Sequence, residues 1–473
     1  MPEKDNHSLQ IEKQVANALK VWHAPVGRSD NLLSDLLIVQ QAQKAYTAID
    51  DVAAQRLATN QVLMNGIEAL ELQDRELAQV LQLRFVDKQK LWAVANTMAI
   101  SEQTVSRLQK KGLHQLALII ETREAAQRIQ HAQQMEAMLP PASYTTLFGV
   151  EQAEQALLDL LEDEDGPPVI VVTGLGGIGK TALTDKTVRT LIHRFQFHYV
   201  LWVRIEHQSL DGNGRNPELT FENLLSQLVA QLWPDLSEQL TPLQRLTKLR
   251  QAFTTLPYLV VIDNIEDQTD SAYILDQLHS LARPTKFLLT SRTQLTKQTA
   301  VFNFKLQELS QIDAIAFVRY HAQECGTNTV TAATDEDIAQ IYGLTGGNPL
   351  ALKLVVSLLD VLPLSEILVD LTATRTDSIE GMYRHIYQKS WQALTDNGRI
   401  LLQAMPLVSE SGGTPDYLAT VSGLPKANLW SALHELHNRS LIEVRGSIHE
   451  KRYGIHRLTH SFLCTVIIKM PDL

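Results

Sequence analysis

The chain has 473 residues, which suffices for about three domains of ordinary size. Hydrophobic residues make up 44% of it and charged residues 20%, a composition that excludes global disorder. The net charge of −11 excludes a chain-wide polycation that coats nucleic acid. Cys325 and Cys464 lie far apart, which excludes a disulfide scaffold and a cysteine zinc site. The sequence contains no apolar run of 18 residues and begins with a polar segment, so it predicts a cytoplasmic protein without a membrane span.

Residues 1–140 predict a helical N-terminal region. Apolar residues recur at helical spacing, for example from Ile67 to Leu83. A stretch rich in Gln, Glu and Ala, Glu121–Met138, ends just before Pro140-Pro141. Because two consecutive prolines cannot continue a helix, we place the first domain boundary there.

A helix-turn-helix is predicted at about 72–118. The pattern favours three helices joined by short connections: Asp74–Phe85, Gln89–Met98 and Glu102–Leu118. Ala99-Ile100 would make the turn, and Ser101 would cap the third helix. This segment resembles region 4 of bacterial sigma factors and their LuxR-like relatives.

The third helix is the candidate recognition helix. Between Glu102 and Gln115 it carries three basic residues and one acidic residue, so its local charge favours phosphate contact inside an acidic chain. The resemblance implies that duplex DNA would be contacted by Gln103, Thr104, Arg107, Lys110 and Lys111. Three-helix modules also serve as protein adaptors. DNA contact and recruitment of an effector protein therefore both remain open.

Residues 141–304 predict an α/β domain. Short apolar runs alternate there with helical segments, a pattern typical of buried parallel strands with helical crossovers. The predicted strands are Val169–Thr173, Tyr199–Val203, Tyr258–Asp263 and Phe287–Ser291. From about residue 305 onward the pattern is mostly helical, and no internal repeat with a period of 20–50 residues is visible.

The segment from Gly174 to Thr181 reads GLGGIGKT and matches the pattern GxxxxGK[ST]. It follows a predicted strand and precedes a predicted helix, which is the context of a phosphate-binding loop. Glycines let backbone N–H groups point at phosphate oxygens, and the helix adds the positive end of its dipole. Lys180 would bind the β and γ phosphates, and Thr181 would bind Mg²⁺. The nucleotide-contacting set is Gly174, Gly176, Gly177, Ile178, Gly179, Lys180, Thr181 and Ala182.

Two further strand ends supply candidate catalytic residues. The third predicted strand ends at Asp263, where a carboxylate would hold Mg²⁺, and Asn264 follows it. Any group that activates water is expected in this cluster, with Glu266 and Asp267 as the nearby carboxylates. The fourth strand is followed by Arg292, whose guanidinium would bind the γ-phosphate, or would otherwise be a solvated end-of-strand arginine.

These motifs occur in the order found in the NB-ARC branch of the STAND NTPases, and residues from about 148 to 470 resemble that family. It includes plant disease-resistance proteins, the apoptosome scaffold and many bacterial regulators. GLGGIGKTAL, LVVIDNIED and LLTSR resemble its phosphate loop, Walker B strand and sensor strand, and FGVE resembles its N-terminal motif with Val150 in place of arginine. The resemblance implies an α/β P-loop NTPase domain with a parallel sheet between two helical layers, followed by a helical subdomain over 305–377 and a winged-helix subdomain over 378–473.

Later motifs extend the resemblance. GGNPLAL is similar to the GxP motif, which implies that Pro349 packs on the nucleotide. His456 stands where relatives have a Met-His-Asp motif, which implies that its ring contacts the β-phosphate of ADP. Arg457 replaces the acidic residue of that motif, and Asn264 replaces the second Walker B acid. With an amide at position 264, we expect slow ATP hydrolysis rather than a housekeeping ATPase.

The family implies a molecular switch: an ADP-bound closed form and an ATP-bound form that assembles into a homo-oligomer. No repeat domain follows the motifs as it does in many relatives, so we expect the trigger to reach the N-terminal region, the NTPase core or a separate sensor protein. Two outputs remain open. One is transcriptional control through DNA binding, and the other is a signalling or antiphage-defence scaffold that recruits an effector protein.

Overall fold

The structure is a computed structural model. It describes residues 2–24, 33–46, 51–205, 217–265, 268–295, 301–325, 330, 333–359, 361–373, 379–408, 412–446 and 450–468. The chain divides into two compact units, Met1–Gln134 and Met135–Leu473. In these described ranges, no helix is both long and apolar enough to cross a membrane.

The first unit is built from helices. Their bounds are α1 Pro2–Lys20, α2 Leu37–Gln43, α3 Asp51–Gln73, α4 Arg75–Leu81, α5 Leu91–Met98 and α6 Glu102–Met138. A 3₁₀ turn at Lys44–Tyr46 and a π turn at Gln82–Val86 continue α2 and α4. Leucines such as Leu19, Leu63 and Leu116 are fully buried in one shared core. The predicted helical character of this region is confirmed.

The predicted turn of the helix-turn-helix is present. Asp74 caps α4 by accepting a hydrogen bond from the Leu77 backbone N–H at 3.2 Å. Ala99 has a left-handed backbone with a φ of 53°, which turns the chain between α5 and α6. The Ser101 hydroxyl oxygen then accepts the Thr104 backbone N–H at 3.1 Å. The N-cap predicted at Ser101 is therefore confirmed.

The predicted end of the third helix at Leu118 is wrong, because α6 continues without a break to Met138. Its second half contains neither glycine nor proline, and its inward face stays packed. The buried Glu124 carboxylate accepts the backbone N–H groups of Leu37 and Ile38, each at 3.1 Å. These bonds satisfy donors at the start of α2 and tie the extended helix to the unit.

The second unit contains a five-stranded parallel sheet of order β2-β3-β4-β1-β5. Its strands are β1 Val169–Thr173, β2 Tyr199–Arg204, β3 Tyr258–Asp263, β4 Lys286–Ser291 and β5 Val301–Lys305. The four predicted strands agree with the structure to within one residue. The sequence prediction missed β5, which pairs with β1 at the edge of the sheet and is only partly buried. An exposed edge strand lacks the apolar run that marks a buried one.

Helices pack on the sheet: α7 Glu151–Glu162, α8 Lys180–Arg194, α9 Pro217–Leu232, α10 Pro242–Thr255 and α11 Gln268–His279. The parallel register pairs Thr173 of β1 with Ser291 of β4, and Ile262 of β3 with Leu289 of β4. The carboxyl ends of these three strands therefore lie together. Ligands of open α/β sheets bind at this edge.

The rest of the unit is helical apart from one hairpin. The helices are α12 Gln311–Cys325, α13 Asp335–Thr345, α14 Pro349–Leu358, α15 Leu364–Ala373, α16 Ile379–Gln392, α17 Asp396–Ala404, α18 Pro415–Ser422, α19 Lys426–Asn438 and α20 Arg457–Phe462. The antiparallel hairpin joins β6 Glu443–Gly446 to β7 Lys451–Gly454. The hairpin predicted at Leu441–Val444 and Arg452–Ile455 is thus displaced by one or two residues. One core runs from Leu309 to Leu463 and is shared by both predicted subdomains.

Candidate functional site

The loop between β1 and α8 depends on glycine at two positions. Gly177 and Gly179 have φ angles of 74° and 102°, in the region that side-chain-bearing residues rarely adopt. A Cβ on Gly177 would lie 2.6 Å from the Cβ of Leu350. Glycine at 177 therefore allows both the left-handed backbone conformation and the close packing of α14 against the loop.

Lys180 begins α8 and turns back over the loop. Its ammonium group donates hydrogen bonds to the carbonyl oxygens of Gly174 and Leu175, both at 2.9 Å. These bonds hold a positive charge above the loop, at the N-terminal end of a 15-residue helix. The charge and the helix dipole together favour an anion at this place.

Three oxygen-bearing side chains meet beside the loop. The Asp263 carboxylate ends β3 and is 2% exposed. Its Oδ1 accepts the hydroxyl of Thr181 at 2.9 Å and the hydroxyl of Thr290 at 2.6 Å. Hydroxyl and carboxylate oxygens are ligands that Mg²⁺ prefers, so Asp263, Thr181 and Thr290 together fit a magnesium site.

The sequence predictions missed Thr290 and Arg204, which complete the surroundings of Asp263. The Arg204 Nε lies 3.5 Å from Asp263 Oδ2, because Arg204 ends β2 directly beside Asp263 in the sheet register. A polar residue in the last two positions of a buried strand was the available sequence signal for both. Arg204 supplies positive charge that balances a buried carboxylate.

Asn264 occupies a constrained position after β3. Its φ of 77° is left-handed, a conformation that asparagine tolerates better than most residues. Its backbone N–H donates to the Thr290 hydroxyl oxygen at 2.8 Å, and its Oδ1 accepts Nη1 of Arg457 at 3.0 Å. An amide cannot accept a proton as a carboxylate can, so this residue is not a general base. Glu266 and Asp267, predicted as alternatives, lie outside the described residues.

His456 lies close to this cluster. Its Nδ1 accepts the Leu458 backbone N–H at 3.1 Å and so caps α20. Burial lowers the pKa of His456 to about 4, and the Glu443 carboxylate opposes that shift. The positive charges of three nearby residues lower this pKa further: Arg292, Lys180 and Arg204. A neutral ring whose Nδ1 accepts a hydrogen bond carries its proton on Nε2, so His456 offers one N–H donor.

The N-terminus of α14 packs against the phosphate loop. Asn348 caps this helix, and its side-chain amide donates to the Gly176 carbonyl oxygen at 3.0 Å. The buried Tyr383 hydroxyl donates to Asn348 Oδ1 at 2.6 Å. Leu350 N–H also donates to the Gly177 carbonyl oxygen at 3.3 Å. Pro349, which the sequence predicts to pack on the nucleotide, lies between Asn348 and Leu350, the two residues of this helix that hydrogen-bond to the phosphate loop.

Most of the predicted nucleotide residues line one cleft of about 2470 Å³ in the second unit. The cleft is larger than the roughly 300–1,000 Å³ of a typical small-molecule pocket. Gly174 is not part of its lining, although its carbonyl oxygen binds Lys180. The predicted residues on the cleft wall are Gly176, Gly177, Ile178, Gly179, Lys180, Thr181, Ala182, Asp263, Asn264, Arg292, Pro349 and His456.

The candidate DNA-contacting residues of the first unit differ in exposure. Gln103, Arg107 and Lys110 are exposed and recur every three or four residues, on one face of α6. Thr104 is partly buried and its backbone N–H bonds to the helix cap. Lys111 lies 3.6 Å from a carboxylate oxygen of Asp74. The first three residues thus form the face best placed to meet a partner.

Two segments of the chain match known protein families. The NB-ARC domain family matches residues 150–322, which include the phosphate loop, Asp263 and Arg292. The chain contains an NB-ARC domain. A second family, Sigma-70 region 4, matches residues 70–117. Both resemblances predicted from the motifs are confirmed, and the NB-ARC match implies that residues 150–322 bind a nucleotide.

Similar proteins of Arabidopsis thaliana include disease resistance protein RPP8, 26% identical over 278 residues, 56% of this chain and 28% of that protein. Disease susceptibility protein LOV1 is 24% identical over 316 residues, 63% of this chain and 33% of that protein. The chain therefore spans about a third of the length of these relatives. A solved STAND protein with a tetratricopeptide repeat sensor, from Pyrococcus horikoshii, is 19% identical with a TM-score of 0.43, covering 68% of this chain and 43% of that one.

Proposed function

We propose that this protein is a nucleotide-dependent switch that binds ADP in a closed form and ATP in an assembling form. One observation carries the proposal: the phosphate loop, Lys180, Thr181 and Asp263 converge within hydrogen-bonding distance in the NB-ARC domain. The loop amides and Lys180 would bind the phosphates. The Thr181 hydroxyl and the Asp263 carboxylate would hold Mg²⁺, which neutralises phosphate charge when bound.

The closed form would depend on contacts from outside the sheet. Pro349 begins the helix whose N-terminus packs on the phosphate loop, so it would pack on the nucleotide. The N–H donor of His456 would contact the β-phosphate of ADP. Arg292 would contact the γ-phosphate of ATP. It lies close enough to His456 for its positive charge to lower the pKa of that ring. A triphosphate would therefore replace the histidine contact by an arginine contact and favour the open form.

The switch is tested by measuring the mass of the purified protein with ADP, with ATP and without nucleotide. Light scattering coupled to size-exclusion chromatography gives that mass directly. We expect a monomer with ADP and a homo-oligomer with ATP. Lys180→Ala should stay monomeric in all three conditions, because the phosphates lose their main cationic partner. One mass in all conditions for the wild type would refute nucleotide-driven assembly.

For the output, we favour DNA binding through the helix-turn-helix, supported by the match to Sigma-70 region 4 and by the exposed Arg107 and Lys110. Binding to duplex DNA should weaken steeply with salt. Each lost phosphate contact should reduce the slope of log affinity against log salt by about 0.9. Arg107→Ala and Lys110→Ala should do so, whereas Arg75→Ala, at an exposed side chain paired with Glu71, should not. If the salt slopes of both test variants equal that of wild type, the proposed DNA contact through this helix is wrong.

A second candidate output is a defence scaffold whose first unit recruits an effector protein. The names of the plant relatives, which describe disease resistance and susceptibility, favour it. It shares the switch and differs only in what the first unit binds. ATP-driven assembly together with no salt-dependent DNA binding would select this second output over the first.

A further inference from the structure

Arg457 and Asn264 form a hydrogen bond between segments 193 residues apart. Nη1 of Arg457 donates to Oδ1 of Asn264 at 3.0 Å. Asn264 directly follows β3, and Arg457 is the first residue of α20. The contact therefore joins the carboxyl edge of the sheet to the helix that carries His456. The motif resemblance implies an acidic residue at each of these two positions, and in this chain an arginine and an asparagine stand there and face each other.

Two hydrogen bonds other than the one to Arg457 hold the asparagine in place. Its backbone N–H bonds to the Thr290 hydroxyl oxygen at 2.8 Å, and its Nδ2 bonds to the Ile205 carbonyl oxygen at 3.4 Å. With the amide nitrogen directed at Ile205, the amide oxygen is directed at Arg457. The orientation of the Asn264 amide oxygen is thus fixed by contacts near the sheet edge and does not depend on Arg457.

The arginine is held by its own helix. His456 caps α20, and one turn later the Thr459 hydroxyl donates to the hydroxyl of the buried Tyr387 at 3.0 Å. Tyr387 belongs to α16, in the large helical core. The guanidinium therefore projects from an anchored helix, unlike that of a freely moving surface arginine.

We propose that the Arg457–Asn264 hydrogen bond is a latch that holds α20 against the carboxyl edge of the sheet in the closed form. The inference rests on the proposed nucleotide switch. A guanidinium bound to a neutral amide gives a charge-assisted hydrogen bond, yet opening it leaves no buried carboxylate without a partner. The latch is therefore strong enough to favour closure and can still be released. A carboxylate at 264 would turn it into an ion pair and hold α20 more tightly.

The backbone at Asn264 decides which variants can test the latch. Alanine at a φ of 77° would add strain unrelated to the hydrogen bond, whereas glycine adopts this φ without cost. Asn264→Gly thus removes the acceptor, together with the longer hydrogen bond from Nδ2 to Ile205, without straining the folded backbone. Arg457→Met removes the donor and keeps an apolar stem of similar length. Asn264→Asp keeps the shape and strengthens the acceptor. Arg384→Met, at an exposed arginine of α16, is the matched control.

The experiment follows release of a fluorescent ADP analogue from each variant into excess ADP. Asn264→Gly and Arg457→Met should each speed release about 10-fold or more, the effect of losing a hydrogen bond to a charged group. The double variant should release no faster than either single one. Asn264→Asp should release more slowly than wild type, and Arg384→Met should match it. If the increases in release rate multiply in the double variant, or if Asn264→Asp releases the analogue faster than wild type, the proposed latch is wrong.

A second measurement separates failure of the latch from failure of the switch. Amide hydrogen exchange of α20 is read in protein stripped of nucleotide. The latch requires faster exchange in Asn264→Gly and Arg457→Met, and slower exchange in Asn264→Asp. If wild type binds no ADP, the proposed switch fails, and this exchange pattern still decides the latch. If wild type binds ADP but α20 exchanges alike in all variants, the latch alone fails.

Discussion

Thr181 and Asp263 are 82 residues apart in sequence, and the hydroxyl of the first donates to Oδ1 of the second at 2.9 Å. Thr181 lies in the first turn of α8, and Asp263 is the last residue of β3. The phosphate loop and the strand proposed to hold Mg²⁺ are therefore already joined by their own side chains. Little rearrangement is needed before both oxygens can bind one cation, which is the preorganisation that electrostatic sites require.

Nucleotide retention is the first prediction. Protein purified from cells should carry adenine nucleotide, mainly ADP, because α14 and α20 line the cleft beside the phosphate loop and would both contact the nucleotide. Lys180→Ala should abolish retention, since the phosphates lose the ammonium that lies over the loop. Lys426→Ala, at an exposed lysine paired with Asp416, is the control. Chromatography of the denatured extract gives the result, and equal nucleotide in wild type and Lys180→Ala would contradict the site.

Slow hydrolysis is the second prediction. Asn264 cannot act as a general base, and its amide oxygen already accepts a hydrogen bond from Arg457. We expect a turnover well below the enzyme median of about 10 s⁻¹. Steady-state phosphate release from the isolated protein measures it. A rate at or above that median would show that a group other than Asn264 activates water efficiently.

Much of the α/β domain was predictable from sequence for a physical reason. Strands buried on both faces are mostly apolar, so β1, β3 and β4 stand out by the apolar runs VIVV, YLVVI and FLL. The phosphate loop was predictable because its chemistry is local. Glycines, a lysine and a hydroxyl act within eight consecutive residues, and the spacing alone carries the signal.

Contacts between distant segments were not predictable. Nothing in the sequence pairs Asn264 with Arg457, or Asn348 with Tyr383, because each pair forms only after the helices have packed on the sheet. The end of α6 was misjudged for a related reason. Its helical continuation is stabilised by the buried contact of Glu124 with the start of α2, 86 and 87 residues away.

The third prediction concerns pH and His321. This ring is 8% exposed, and its Nε2 lies 3.0 Å from the Ser440 hydroxyl oxygen. Burial lowers the pKa of His321 to about 3, and the neighbouring Lys353 and His437 add to the shift. An unfolded histidine has a pKa of about 6.5. The unfolded chain therefore takes up a proton that the folded chain refuses, so stability is full above about pH 6.5 and is lost as pH falls toward 3.

The measurement is the apparent melting temperature between about pH 7 and pH 4.5, the part of this window above most carboxylate titration. His321→Gln keeps a hydrogen-bonding side chain that does not titrate, so its melting temperature should fall less with pH. His193→Gln, at an exposed histidine beside Glu136, should keep the wild-type slope. A wild-type slope in His321→Gln would mean that this residue does not set the pH response.

His456 provides the fourth prediction, and it tests the switch most directly. If its Nε2–H binds the β-phosphate of ADP, removing it should weaken ADP more than ATP. Loss of one hydrogen bond to a charged group costs about 1.5–3 kcal/mol, or roughly 10- to 150-fold in affinity. By linkage, the same energy shifts the equilibrium toward the open form. His456→Ala should therefore raise the preference for ATP and the oligomer fraction together.

A second variant separates this role from helix capping. His456→Ala also removes the acceptor of the Leu458 N–H, a loss of about 0.5–2 kcal/mol that could loosen α20 without any phosphate contact. Asparagine is a good N-cap residue, but it is too short to reach as far as the imidazole Nε2. His456→Asn should thus keep α20 intact and still lose the selectivity for ADP. Isothermal titration of both variants with ADP and ATP decides the matter: if His456→Asn binds both nucleotides as wild type does, capping is the role of His456 and it makes no phosphate contact.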